Sequence, residues 1–168
     1  LVKRLEKHRG LLEDGERFVA GCALGPLGLR AGTSAGGASG APTAVTGSGA
    51  TNAAESYRDA ARRSVGLDPT TESSFTFDGG RPIILGLTDR RVMAFAGSHF
   101  AKPKRLLGDW PRDRCELRAV RHDDGAVSAP PLFLKLPDGR WMIGEAPNVD
   151  YAAGLVAFNS IFQVLFYS

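Results

Sequence analysis

From Pro82 to Phe95 the chain reads Pro-Ile-Ile-Leu-Gly-Leu, then the polar tetrad Thr88-Asp89-Arg90-Arg91, then Val-Met-Ala-Phe. Two apolar segments of strand length around a turn-forming tetrad predict a β-hairpin. Asp89 can accept bonds from backbone N–H groups two residues on, and Arg91 opens the return strand, where its stem can lie over apolar surface. Thr88, Asp89 and Arg91 are therefore read as structural turn residues. No nucleophile–base pair accompanies them, so they are not read as catalytic.

Further strands are expected at 105–109, 116–121, 131–136 and 140–145, besides 83–87 and 92–96 in the hairpin itself. His122-Asp123-Asp124-Gly125 and Pro137-Asp138-Gly139 supply turns, and Asp-Gly tolerates the positive φ that tight hairpins require. Short strands spaced roughly ten residues apart predict an antiparallel sandwich or barrel. Upstream, Val2 to Asp14 reads as a charged helix with a thin apolar stripe of Val2, Leu5 and Leu12. Leu12-Glu13-Asp14-Gly15-Glu16 turns into a first strand, 17–24, in which Phe18, Ala20 and Cys22 are expected to share a face.

Between Ala31 and Ala50 the chain is almost entirely Gly, Ala, Ser and Thr. Such a stretch buries too little apolar area to offset its ordering entropy, so it is expected to be a flexible insertion. It lacks the GxxxxGK[ST] pattern of a phosphate loop. Asn52 is the expected N-cap of a short helix over 53–64 that Gly66 stops, with Arg58, Arg62 and Arg63 on its outer side. Phe75 and Phe77 suit either a short strand or a loop folded over the core.

At the other end, Asn148 caps an expected C-terminal helix. Tyr151, Leu155, Phe158, Phe162 and Leu165 fall at spacings of four, three, four and three, giving one apolar face. Asn159, Ser160 and Gln163 interrupt it, which favours packing on the sheet over crossing a bilayer. Nothing among the first 30 residues reads as a signal peptide, so a cytoplasmic location is the default expectation. The core is expected to include Phe18, Ile84, Leu85, Leu87, Val92, Phe95, Leu107, Trp110, Leu117, Phe133, Leu134, Trp141 and Ile143, with Leu155, Phe158 and Phe162 from the final helix.

Short strands followed by one apolar helix is the plan of a pleckstrin-homology-like domain. Leu87-Thr88-Asp89-Arg90-Arg91-Val92, with Ile84 and Leu85 before it and Phe95 after it, resembles a hairpin motif of bacterial PH-like and GRAM-like domains. Leu12-Glu13-Asp14-Gly15-Glu16 is similar to the L-x-x-G-E that opens many of them. Trp110-Pro111-Arg112 followed by Glu116-Leu117 is similar to their third and fourth strands. The resemblance covers 12–24 and 82–166. It implies one domain over 1–168: an N-terminal helix at 1–14, an insertion at 26–80, and a main barrel or sandwich of about seven strands capped by a helix at 82–167.

Charge is unevenly spread. Residues 81–121 hold ten Lys/Arg against Asp89, Asp109, Asp113 and Glu116, a balance of +6 in a chain of net +3. Solvated strand and turn positions account for much of this, and an acidic partner would also suit it. The resemblance implies that His99, Lys102, Lys104 and Arg105 line a loop where anionic head groups bind in some PH domains, with Phe100 beside them. Trp110 and Trp141 sit on strands and read as packing, so nucleic acid is not an expected partner. His8, His99 and His122 have no ligand spacing, and Cys22 and Cys115 have no CxxC companion; no metal or other cofactor is expected. Asp109, Asp113 and Glu116 lie among arginines and read as surface pairs rather than an acid/base set. A non-enzymatic binding module follows, with an unidentified protein partner or a second copy of the chain. Peripheral contact with anionic lipid through 99–105 is the alternative, and a small hydrolase is a more remote one.

Overall fold

The computed structural model describes residues 1–28, 48–98, 101–120, 131–145 and 165–167. The chain is mainly β. One antiparallel sheet has the order β1(Phe18–Leu24), β2(Ile83–Thr88), β3(Arg91–Gly97), β4(Pro103–Pro111). The second has the order β7(Trp141–Glu145), β6(Pro131–Lys135), β5(Glu116–Val120), β8(Leu165–Tyr167). A bridge between Gly25 and Glu145 joins the corner of the first sheet to the second. Among the described residues the strands form two sheets and not one closed barrel.

The apolar segments 82–87 and 92–95 do not alternate with polar residues because both faces of the first sheet are covered. Ile83, Leu85, Leu87, Val92 and Ala94 pack across the sandwich against Leu117, Leu132, Leu134 and Met142. On the opposite face, Ile84, Met93 and Phe95 pack against Leu5, Leu1, Val2 and Leu12. Leu5 is wholly buried over Gly21 and Gly86, where a Cβ would lie 2.7 and 3.2 Å from its methyl groups. The N-terminal segment is α only from Val2 to Leu5 (α1), then tightens into a 3₁₀ helix, Glu6–Leu11, with a kink at His8. The expected single helix to Asp14 is therefore shorter, in keeping with Gly10 in its last turn.

The second helix, α2 (Ser48–Ser64), begins earlier than the Asn52 cap predicted. Its end follows the Schellman pattern: Leu67 N donates to Arg62 O at 2.9 Å and Gly66 N to Arg63 O at 3.0 Å, with Gly66 at φ +74°. Ala61, Val65 and Tyr57 cover Phe133, Ile143 and Leu27 on the outer face of the second sheet. Arg58 turns inward to donate to Leu27 O at 2.8 Å, and Arg62 is half-buried beside Asp59, so neither faces solvent as expected. Phe75 and Phe77 lie in a loop and plug the sandwich.

Two further expectations change. Val19 is a bulge in β1, because Phe18 pairs with Thr88 and Ala20 with Leu87. Phe18 is thereby sent to the outer cluster while Ala20 and Cys22 face the sandwich. At the C-terminus, Leu165–Tyr167 is a strand, paired in parallel with Arg118–Val120. An exposed β5 edge and an aromatic-rich tripeptide favour the ladder over the last turn of a helix. The rest of the predicted C-terminal helix, with Leu155, Phe158 and Phe162, lies outside the described residues, as do 29–47 of the Gly-rich insertion and the 122–125 turn. Of the predicted core, Leu107, Trp110 and Trp141 are half-buried and the other described members are buried.

At the far corner of the first sheet, Gly97 N donates to Pro82 O at 2.8 Å, and a Cβ on Gly97 would lie 2.4 Å from that carbonyl. Gly97→Ala must displace backbone on both strands. We expect a loss of about 1–3 kcal/mol, read as a lower melting temperature; an unchanged melting temperature would contradict this packing.

Candidate functional site

The two ends of the first sheet differ in electrostatics. At the hairpin end, Glu16 is buried and its carboxylate is surrounded by donors. Arg91 donates from Nε to Oε1 at 3.0 Å and from Nη2 to Oε2 at 2.5 Å, Thr88 Oγ1 donates to Oε1 at 2.6 Å, and Glu13 N to Oε2 at 2.9 Å. Arg91 also donates to Leu11 O at 3.0 Å and pairs with Asp109. Thr88 Oγ1 in turn accepts from Arg90 N at 3.1 Å and Arg91 N at 2.6 Å, closing the turn.

Contrary to the expectation that Asp89 accepts from amides two residues on, its Oδ1 accepts from Arg17 N at 3.2 Å. Thr88 takes the turn-closing role instead, because its hydroxyl already lies beside both amides. The Arg91 head is held in ion pairs, so its contribution is charge more than stem packing.

These bonds hold Glu16 well below the usual carboxylate range, at about 2, with the Arg91 hydrogen bonds the largest cause and burial opposing them. The same pairing raises Arg91 further above its ordinary value. The bonds of Arg91 and Thr88 to Glu16, and of Arg91 to Leu11 O, hold the N-terminal turn to the hairpin, and this is a structural clamp.

The other end carries unpaired cations. In the antiparallel register Ile83 lies opposite Ala96 and Gly97 opposite Pro103, so the start of β2, the end of β3 and the start of β4 share one end of the sheet. Arg81, Lys102, Lys104 and Arg105 are exposed there, with no ion-pair partner among the described residues. By contrast, Arg90, Arg91 and Arg118 from the same basic span are paired with Glu13, Glu16 and Glu116.

A cleft of about 210 Å³ opens at this end. Phe75, Pro82, Ile83, Ala96 and Leu107 give it an apolar lining, and Arg81 and Arg105 are its basic lining residues. Asp78 is the one carboxylate among its lining residues and accepts from Thr76 Oγ1 at 3.1 Å. Gly97 is required at the corner by its contact with Pro82 O, which keeps the strand ends close.

Of the residues that the sequence pointed to, Lys102, Lys104 and Arg105 are thus brought to one end of the sheet. His99 lies outside the described residues, as does Phe100. Sequence reasoning missed Arg81 and the segment around Phe75. Arg81 was visible only as one of ten cations; its position directly before Pro82 and the second strand was the available signal.

Other reactive groups are engaged in structure. Burial, with Asp113 and Asp138 nearby, pushes the Cys115 thiol up to about 11, so it stays protonated near neutral pH. Burial and the nearby Glu145 push Tyr57 to about 12. Among the described residues, no group of three or more His, Cys, Asp or Glu is placed to hold a metal ion, and no helix is long and apolar enough to cross a membrane. No protein-family model matches the chain, and no curated protein sequence matches it.

The clamp predicts a pH signature. Glu16 is depressed in the folded chain, so its contribution is full above the unfolded carboxylate range and is lost as pH falls from about 4.5 toward about 2. The loss is on the order of 3 kcal/mol. Urea denaturation of wild type and Glu16→Gln across that window should show a shallower slope for the variant, which is also less stable at neutral pH. Parallel slopes would remove Glu16 as the source.

Proposed function

We propose that the chain is a non-enzymatic binding module of PH-like architecture whose basic sheet end engages an anionic group on a partner. The observation that carries this reading is that Arg81, Lys102, Lys104 and Arg105 stand exposed and without ion-pair partners among the described residues at one end of the sheet, where Arg81 and Arg105 line a partly apolar cleft. Unpaired cations beside an apolar wall suit a ligand with a charged head and a less polar body. The order of four antiparallel strands followed by a second three-strand meander supports the PH-like assignment, as does the contact between the two motifs that carried the resemblance, through Glu16 and Thr88–Arg91.

An anionic membrane surface is the version of this reading favoured by the exposed charges, because Lys102 directly precedes β4, Lys104 and Arg105 stand at its start, and Arg105 lines the cleft. A protein partner would use the same charges. Strand addition along β4 is less suited to the structure. That strand has Pro at both ends, Lys104 and Arg105 near its start, and a bulge at Leu107, where Ala94 pairs with Gly108 but Phe95 pairs with Leu106. Such features blunt an edge against added strands.

Each basic side chain near an anionic leaflet contributes about 1 kcal/mol. Replacing Lys102, Lys104 and Arg105 with Gln should therefore weaken partitioning onto phosphatidylserine vesicles on the order of 100-fold at low salt. Binding should be absent on phosphatidylcholine alone and weaker at about 0.15 M salt. Equal sedimentation of wild type and variant, or none at low salt, would refute the membrane reading. Retention of an acidic peptide by wild type but not by the variant would then assign the charges to a protein partner.

A further inference from the structure

The connection between β3 and β4 is held from outside as well as from within. Inside it, Ala101 N donates to Ser98 O at 2.9 Å, Ser98 N to Lys102 O at 3.0 Å, and Lys102 N to Ser98 Oγ at 3.2 Å. From the N-terminal segment, Arg4 Nη1 donates to Ala101 O at 3.3 Å, and His8 Nε2 lies 3.2 Å from Pro103 O. The His8 ring rests on Phe95, with centroids 5.0 Å apart, which fixes the direction of Nε2.

Ala101 has φ +51°, the one described non-glycine residue at positive φ. A side chain disfavours that region, so the conformation persists where surrounding contacts hold it. The Ala101 methyl packs into the outer apolar cluster with Leu5 and Phe95, and its carbonyl is taken by Arg4.

We propose that Arg4 and His8 are positioning residues: they fix the backbone on either side of Lys102 and so set where the cations of the basic end stand. The means is geometric. Leu5 is seated in the space left by Gly21 and Gly86, which locates the segment, and Arg4 and His8 lie one residue before and three after it. The two contacts fall on Ala101 and Pro103, the neighbours of Lys102, and β4 continues from there through Lys104 to Arg105 at the cleft. The N-terminal segment thereby carries a role beyond covering the sheet. The binding consequence rests on the function proposed above, whereas the positioning itself does not.

The test compares wild type with Arg4→Met/His8→Phe, which keeps a ring on Phe95 and removes both donors. Arg4→Lys/His8→Gln, which restores donors, serves as the rescue. In ligand-free protein, amide hydrogen exchange and chemical shifts of Ser98, Ala101 and Lys102 are read by NMR. Loss of two hydrogen bonds should speed exchange at these amides about tenfold with β2 amides unchanged, and the rescue should slow it again. Unchanged exchange at Ala101 and Lys102, or equal acceleration throughout the sheet, overturns the proposal whatever the protein binds.

A second arm measures partitioning onto phosphatidylserine vesicles. A several-fold change in the double variant, reversed by the rescue, supports the link to binding. Local loosening with unchanged partitioning overturns that link. Local loosening in a protein that never binds vesicles upholds the positioning and refutes the membrane reading alone.

Discussion

A carboxylate removed from water is costly unless its lone pairs are met, and Glu16 is the place where this chain accepts that constraint. Its four short contacts come from the turn before β1 and from both strands of the hairpin. The N-terminal turn can then sit in only one position against the hairpin. Leu11 O is bound by the same arginine, so the segment that carries Leu5 is delivered over the outer face of the sheet. Coverage of that face leaves β2 buried at every position, with apolar residues or Gly from Ile83 to Leu87. The electrostatic clamp and the hydrophobic layering are therefore one arrangement, since Arg91 is the link between them.

The clamp also explains why the sheet ends differ. At the hairpin end, acids from the N-terminal turn neutralise Arg90 and Arg91. At the opposite end, Arg81, Lys102, Lys104 and Arg105 meet no such acids among the described residues. The uneven charge of the span from 81 to 121 is thus sorted by the hairpin register rather than by sequence distance. Arg91 and Arg105 lie on adjacent strands of one sheet, yet one is held in a structural pair and the other lines an open cleft.

Local patterns carried most of the strands. The hairpin, the Asp138-Gly139 turn and the strands that follow are legible because side-chain alternation and turn chemistry act over a few residues. The bulge at Val19 was not legible, since it depends on the partner strand and not on Phe18 or Ala20 themselves. Nor was β8: Leu165, Phe166 and Tyr167 continue a helical spacing, and only the open edge of β5 makes a ladder the better use of them. For the site, three adjacent cations were visible as Lys102, Lys104 and Arg105. Arg81 and Phe75 were not, because they reach the cleft from segments separated from it by whole strands. Glu16 was noticed as part of a motif; its partner 75 residues away could be named only once the chain was folded.

Both the clamp and the N-terminal segment bear on where this domain can engage a partner. The outer face of the first sheet is covered by the segment carrying Leu5, the inner face by the second sheet, and the edge at β4 is blunted by Pro103, Pro111 and a bulge. Among the described residues the sheet end is what remains open on that half of the sandwich, and there Arg81, Lys102, Lys104 and Arg105 stand without ion-pair partners. Charge held at the end of a rigid sheet loses little conformational freedom on meeting a ligand, because the strands have already fixed the backbone beneath it. The same reasoning gives Arg4 and His8 their importance. The connection after β3 lies outside the strand ladder, and these two side chains add to its own hydrogen bonds in holding the residues beside Lys102.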